Sequence, residues 1–395
     1  MEASEARTAA SPSGRAVLAA LPEYSAASAL SLGARLRGQG VEPTVVAAAL
    51  TQSRLRARAR AKFGDFADGM LFTPAGLEQA TRLEVAALHA RRYLAAGFTT
   101  VADLTCGIGS DAMAMSALGI AVMAFERDEA TAVIADHNLR LWPGTVVVLA
   151  DSLSTVRDVD VEAVFADPGR RTAAGNRRHG SDEYDPPLSA LLKLRDRFPA
   201  LGLKLGPGIR HTDLPADAEA EWVSVDGDVV EAGLWCGPLA GPHGRGALVL
   251  RHGSAHRLDG SGVAASVGPV REFLYEPDGA AIRAGLVAEV ATIVGGHLVD
   301  STIAYVTAAT AVDTPFAVRF RVLDDLPFGV KPLRAYLRAR DVGRVTIKKR
   351  GTAVTPEALR AQLRLKGDAE ATVVLTRVAG AHRALIVEPE QSARP

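Results

Sequence analysis

Four acidic residues, Asp103, Glu126, Asp151 and Asp167, each stand at the end of a short apolar run. The first is followed closely by two glycines. The stretch Val101-Ala102-Asp103-Leu104-Thr105-Cys106-Gly107-Ile108-Gly109-Ser110-Asp111 reads as strand, glycine turn and helix start. Gly107 and Gly109 admit positive φ and let the backbone approach a ligand closely. Several readings fit the turn alone. Gly107-x-Gly109-x-x-Ala112 satisfies the loose G-x-G-x-x-G/A pattern of dinucleotide sites, and a tight βα turn with no ligand also fits. Asp103 discriminates between them. A carboxylate aimed into that crevice repels a diphosphate on a helix N-terminus and attracts a cation. Glu126 stands where a ribose diol would donate to it, and Asp151 where an adenine amine would lie.

S-adenosylmethionine presents such a cation, in its ammonium and its sulfonium. Asp103-x-x-Cys106-Gly107-x-Gly109, Glu126, Asp151 and Asp167-Pro168 together resemble motifs I to IV of class I S-adenosylmethionine-dependent methyltransferases. Leu71-Phe72-Thr73-Pro74 resembles the segment that helps cover the cofactor in trimethylguanosine-synthase-like enzymes. Val345-Thr346-Ile347-Lys348-Lys349-Arg350-Gly351 and Leu363-Arg364-Leu365-Lys366-Gly367 resemble the THUMP-like domain that follows such methyltransferase domains, and THUMP domains belong mostly to tRNA-modifying enzymes. The resemblance implies S-adenosyl-L-methionine as cofactor, held by Phe72, Thr73, Asp103, Cys106, Gly107, Gly109, Glu126 and Asp151. It implies RNA, tRNA or rRNA, as partner.

In base-amine methyltransferases the fourth motif reads Asp/Asn-Pro-Pro followed by an aromatic ring. The polar side chain and a proline carbonyl accept hydrogen bonds from the amine and turn its lone pair toward the methyl group, while the ring stacks on the base. Here the residues are Asp167-Pro168-Gly169-Arg170, so the acceptors stay and the ring is gone. These four are the candidate catalytic residues. A methyltransferase of a small molecule or protein, or a cofactor-binding module without chemistry, remains the alternative. Arg170 and Arg171 suit stacking or a phosphate fork, Tyr184 in the following polar loop could replace the missing ring, and Lys204, a charge inside an apolar strand near the crevice, is a candidate substrate contact. Lys348, Lys349 and Arg350 are candidate phosphate contacts, because residues 341–367 carry a net charge of +5 in a chain whose 45 basic and 45 acidic residues balance.

The elements that must position these groups follow from periodicity. Residues 1–95 read as a helical region, with helical patterns at 47–61 and from Leu77 through Leu94. From 99 to about 255 short apolar runs alternate with helical patterns: Thr100–Leu104, Ala121–Phe125, Val146–Leu149, Ala163–Phe165, Leu203–Leu205, Trp222–Val225 and Ala247–Leu250. Such alternation implies a parallel sheet with helices on both faces, with ligands beyond the carboxyl ends of the strands. Residues 240–270 are glycine-rich and read as turns and linker. A small α+β unit is expected after Pro277, with a helix near 280–294 and strands near 302–307, 316–322, 343–348, 371–377 and 382–387. The expected organisation is thus an α/β chain. A helical region (1–95) precedes a Rossmann-like class I methyltransferase domain (96–270), and a THUMP-like α+β domain (271–395) follows.

Composition narrows the classes further. A chain that is 48% hydrophobic and 23% charged can build cores, which excludes a wholly disordered protein. Two cysteines, Cys106 and Cys236, cannot form a disulfide framework or a four-thiolate zinc site, and His137, His211, His243, His252 and His256 show no metal-ligand spacing with Cys or Asp, so no structural metal is expected. No apolar run approaches a membrane span, and the acidic N-terminus lacks secretory character, so a cytoplasmic protein is expected.

Overall fold

The computed structural model describes residues 1–170, 184–242 and 244–390, with the backbone alone at Arg170. They form two compact units. The first comprises Met1–Leu205, Arg210–Ala218 and Leu234–Ala240; the second comprises Gly206–Ile209, Glu219–Gly233 and the residues from Gly241 onward.

The first unit opens with helices α1 (Ala3–Ala10), α2 (Pro12–Ala19), α3 (Ala29–Gly38), α4 (Pro43–Phe63), α5 (Pro74–Gln79) and α6 (Leu83–Ala95). Helix α4 buries Val45, Ala48, Ala49, Gln52, Leu55, Ala59 and Phe63, spaced as one helical face requires. Then come β1 (Thr100–Asp103), α7 (Ser110–Ala117), β2 (Ala121–Glu126), α8 (Glu129–Leu139), β3 (Val146–Leu149), α9 (Ser152–Thr155) and β4 (Ala163–Ala166). A two-residue ladder, β5 (Gly169–Arg170) with β6 (Tyr184–Asp185), precedes α10 (Leu188–Leu192) and β7 (Leu201–Leu205). The strands run β7-β4-β1-β2-β3, all parallel. The order turns back at β1, which lies between β4 and β2, and that is where a crevice opens beyond the strand ends.

Strands β8 (Glu219–Val225), β10 (Arg245–Arg251) and β11 (Ser254–Asp259) belong to the second unit, in the order β11-β10-β8-β9. Strand β9 (Asp228–Cys236) is divided between the units, and its end is hydrogen-bonded beside β7. The rest of the second unit is β12 (Phe273–Pro277), α11 (Gly279–Ala284), α12 (Val287–Ile293), β13 (His297–Asp300), β14 (Ile303–Ala308), β15 (Ala317–Pro327), α13 (Val330–Arg338), β16 (Val342–Lys349), α14 (Pro356–Leu363), β17 (Ala369–Val378) and β18 (Ala381–Pro389). Its seven strands run β13-β14-β12-β15-β18-β17-β16, and only β16 and β17 pair in parallel. One core of this unit gathers Leu333, Leu337, Leu359, Leu363, Val373 and Ile386 beneath α13 and α14.

Every strand expected between 99 and 255 is present, but three readings need correction. The segment 240–270 is not wholly linker, because β10 and β11 form a hairpin within it. The turns Asp226-Gly227 and His252-Gly253 have positive φ at both central residues, as tight hairpin turns need. The pattern from Leu77 through Leu94 is two helices rather than one. Lys62 ends α5 by donating to the carbonyls of Leu77, Glu78 and Ala80 at 2.9, 2.7 and 2.8 Å. The expected helix at 280–294 is likewise broken, at Gly285 in the left-handed region. No helix among the described residues is long and apolar enough to cross a membrane.

Candidate active site

The carboxyl ends of β1, β2, β4 and β7 bring the acidic residues together. Asp103 closes β1, in register with Ala124 of β2 and Phe165 of β4. Its carboxylate is buried and accepts the amide of Thr105 at 3.2 Å. The loop then turns: the Cys106 amide donates to Phe125 and the Gly109 amide to Cys106, at 2.9 and 2.8 Å. Gly107 and Gly109 have φ of 56° and 88°, which explains both glycines. A Cβ on Gly107 would meet no atom within 4 Å, so the backbone there faces open space. Gly76 serves a different need, since a Cβ on it would lie 2.4 Å from the Ile108 side chain. That close approach lets α5 cover the loop.

Glu126 closes β2 and accepts the amide of Asp128 at 2.8 Å. Asp151 lies beyond β3 and caps α9 through the amide of Leu153 at 3.0 Å. Asp167 follows β4, and its amide donates to the Thr105 hydroxyl at 2.7 Å, tying the fourth motif to the first. Lys204, from β7, places its ammonium 2.5 Å from the Asp167 carboxylate and 3.0 Å from the Thr81 hydroxyl. Thr81 in turn donates to Asp111 at 2.7 Å, and Asp111 pairs with the His89 ring at 2.7 Å. His89 packs against the rings of Phe165 and Trp235. A chain of polar contacts therefore runs from His89 through Asp111, Thr81 and Lys204 to Asp167.

The electrostatics follow from this crowding. Burial, then the charges of Asp111, Asp167 and Glu126, push Asp103 well above the usual carboxylate range, against the Thr105 amide. Burial would raise Asp111 too, but its hydrogen bond and charge pairing with His89, with Lys204 and Thr81 behind, bring it below that range. Glu126 is raised by burial, opposed by the amides around it. The Cys106 thiol is pushed up by burial and by Asp103 and Glu126, which suits a backbone role rather than a nucleophilic one.

The segment before the first motif is built by two buried amides that sequence reasoning missed. Gln52 exchanges hydrogen bonds with the Phe72 backbone at 2.8 and 2.9 Å. Asn138 accepts from the Leu71 amide at 2.8 Å and donates to the carbonyls of Leu71 and Ile108 at 3.0 and 2.9 Å. Phe72 and Thr73 are thereby buried, with Thr73 capping α5 through the Gly76 amide at 2.9 Å. A buried amide in each of two apolar helix faces was the available signal. Asn138→Leu removes three such bonds and strands three buried peptide groups. At about 1–3 kcal/mol for each stranded group, we expect a loss of at least about 3 kcal/mol. Urea unfolding followed by circular dichroism checks this, and an unshifted transition would contradict it.

Of the other expected site residues, Gly169 and Arg170 pair with Asp185 and Tyr184 across the small ladder. Tyr184 is buried, and Arg171 lies outside the described residues. In the second unit, Lys348 and Arg350 face the Glu276 carboxylate at 2.6 and 3.6 Å, while Lys349 is exposed.

The pocket chemistry suits the cofactor implied by the sequence. Asp103 closes β1 before the glycine loop, and the charges of Glu126 and Asp167 act on it, so a cationic ligand there lowers their repulsion and a diphosphate would raise it. The buried Ser110 hydroxyl, at the start of α7, has no hydrogen-bond partner among the described residues. Parallel strands in this order with acidic groups at their carboxyl ends define a Rossmann-like class I methyltransferase. Two curated proteins of Mycobacterium tuberculosis strains, each named an uncharacterized S-adenosylmethionine-dependent methyltransferase, are 36% identical over 335 residues, 82% of this chain and 90% of theirs. The chain belongs to that family and is an S-adenosylmethionine-dependent methyltransferase with a C-terminal THUMP-like domain. The THUMP domain-like family matches residues 317–389, and a domain of unknown function (DUF8688) matches 4–59. The crystal structure of a presumed methyltransferase from Porphyromonas gingivalis shares the fold over 94% of this chain and 100% of its own, at a TM-score of 0.73 and 20% identity.

Proposed function

We propose that the enzyme methylates RNA, tRNA or rRNA, in the cytoplasm, with its C-terminal domain holding the RNA. The THUMP-like match at 317–389 carries this reading. In it, residues 96–270 hold cofactor and acceptor, residues 271–395 hold RNA, and residues 1–95 help cover the cofactor. Asp103, Cys106, Gly107, Gly109, Glu126 and Asp151 hold S-adenosylmethionine beneath Phe72 and Thr73. When bound, the cofactor supplies an electrophilic methyl group. Asp167 and the Pro168 carbonyl accept hydrogen bonds from the acceptor amine and orient its lone pair. Lys204 pairs with the Asp167 carboxylate and steadies it in this place. Gly169 and Arg170 complete the candidate catalytic set, Arg171, Tyr184 and Lys204 serve the substrate, and Lys348, Lys349 and Arg350, at the end of β16, hold RNA.

Incubation of the enzyme with methyl-labelled S-adenosylmethionine and total RNA from cells lacking the gene tests this. We expect label in RNase-sensitive material and one modified nucleoside by mass spectrometry that the same cells regain with the gene. Label confined to protein or small molecules would refute the RNA substrate.

A further inference from the structure

The N-terminal helices carry a group of cations that neither the cofactor nor the acceptor explains. Arg56 on α4 and Arg140 at the end of α8 meet around His137 and the Gly69-Met70 peptide, and the charge of Arg15 on α2 acts on both His137 and Arg140. Arg56 Nε donates to the Met70 carbonyl at 2.9 Å, and His137 Nε2 lies 3.3 Å from the Gly69 carbonyl. Arg140 folds back onto the His137 carbonyl at 2.5 Å. No carboxylate of a described residue lies within ion-pair distance of these three guanidiniums. Asp68, the acid whose charge acts on Arg56, is already engaged by Arg60 at 2.8 Å.

The three cations feel one another. Arg56 is pushed down to about 10 by burial and by Arg140, against Asp68. Arg140 is lowered by burial and Arg15. His137 is pushed down to about 4 by burial first, then by Arg140, Arg15 and Arg56, against the Gly69 carbonyl. Holding guanidiniums together without a counter-charge is unfavourable, and an oxyanion offsets it. Arginine forks match the paired oxygens of a phosphate bidentately. Arg15 and Arg140 are exposed, so the cluster opens to a ligand from solvent.

We propose that Arg15, Arg56 and Arg140 form a phosphate site that takes a phosphodiester of the RNA, giving the N-terminal helices a part in substrate binding. The inference rests on the RNA reading only for the source of the phosphate. The test is fluorescence anisotropy of full-length enzyme with a short labelled single-stranded RNA across a salt series, for wild type and for Arg15→Gln/Arg140→Gln. Arg56 is left intact because it also holds Met70. We expect the double variant to bind about tenfold more weakly near about 100 mM salt, with a salt slope shallower by about 0.7 for each phosphate no longer neutralised. Methyl-donor binding and the thermal transition should stay at wild-type values, which separates the effect from misfolding. Unchanged affinity and slope, with wild-type RNA binding intact, would overturn the site and leave the RNA reading standing. In a second arm, inorganic phosphate is titrated calorimetrically. Saturable phosphate binding lost in the double variant, without any change in RNA affinity, would overturn the phosphodiester assignment in favour of a free anion.

Discussion

Asp167→Ala is expected to slow methyl transfer by about three orders of magnitude, within the range for losing a positioned acceptor. Binding of S-adenosylhomocysteine, measured by calorimetry, should stay close to wild type. The separation follows from position. Asp103 and Glu126 end β1 and β2 on the glycine loop, whereas Asp167 follows β4 and meets Lys204 at 2.5 Å. Removing the carboxylate also strands the half-buried Lys204 ammonium, so Asp167→Asn is the cleaner companion. It keeps an acceptor oxygen but loses the ion pair, and should fall between wild type and Asp167→Ala. Equal losses of cofactor affinity and rate in both variants would contradict the role.

The second large effect concerns Asp103. Its carboxyl is pushed well above the usual range by burial and by Asp111, Asp167 and Glu126. The free enzyme therefore carries a proton there at pH values where an ordinary carboxylate has lost it. A cationic ligand favours the ionised form, so binding of S-adenosylmethionine should release a proton in that window. The sign is fixed: affinity rises with pH up to the raised value of the free enzyme and then levels off. Calorimetry in two buffers of different ionisation heat measures the proton directly. Asp103→Asn should abolish the proton release and weaken binding by about 10- to 100-fold, the worth of one hydrogen bond to a charged group. A variant that keeps both affinity and proton release would show that the ligand's cation lies elsewhere.

Much of the first unit was legible because its chemistry sits on local patterns. Asp103 and Glu126 close, and Asp167 follows, observed strands of four to six residues whose apolar runs were visible in the sequence. The hairpin at Asp226-Gly227 had a strong local signal that a search for parallel strands passed over. The break between α5 and α6 had none. It depends on the Lys62 ammonium reaching carbonyls 15 to 18 residues along the chain. Lys204 illustrates the same limit from the other side. A charge in an apolar strand was visible, but its partners are 37 and 123 residues away.

Order along the chain thus determined the strand sequence, the glycine turn and the acidic residue at each strand end, since each depends on contacts within a few positions. Tertiary packing alone decided which charges neutralise one another. It set Lys204 on Asp167, His89 on Asp111, and Gln52 and Asn138 on the Leu71-Phe72 backbone. The physical reason is that a buried charge or amide must find its partner in space, and the chain is free to bring that partner from any distance.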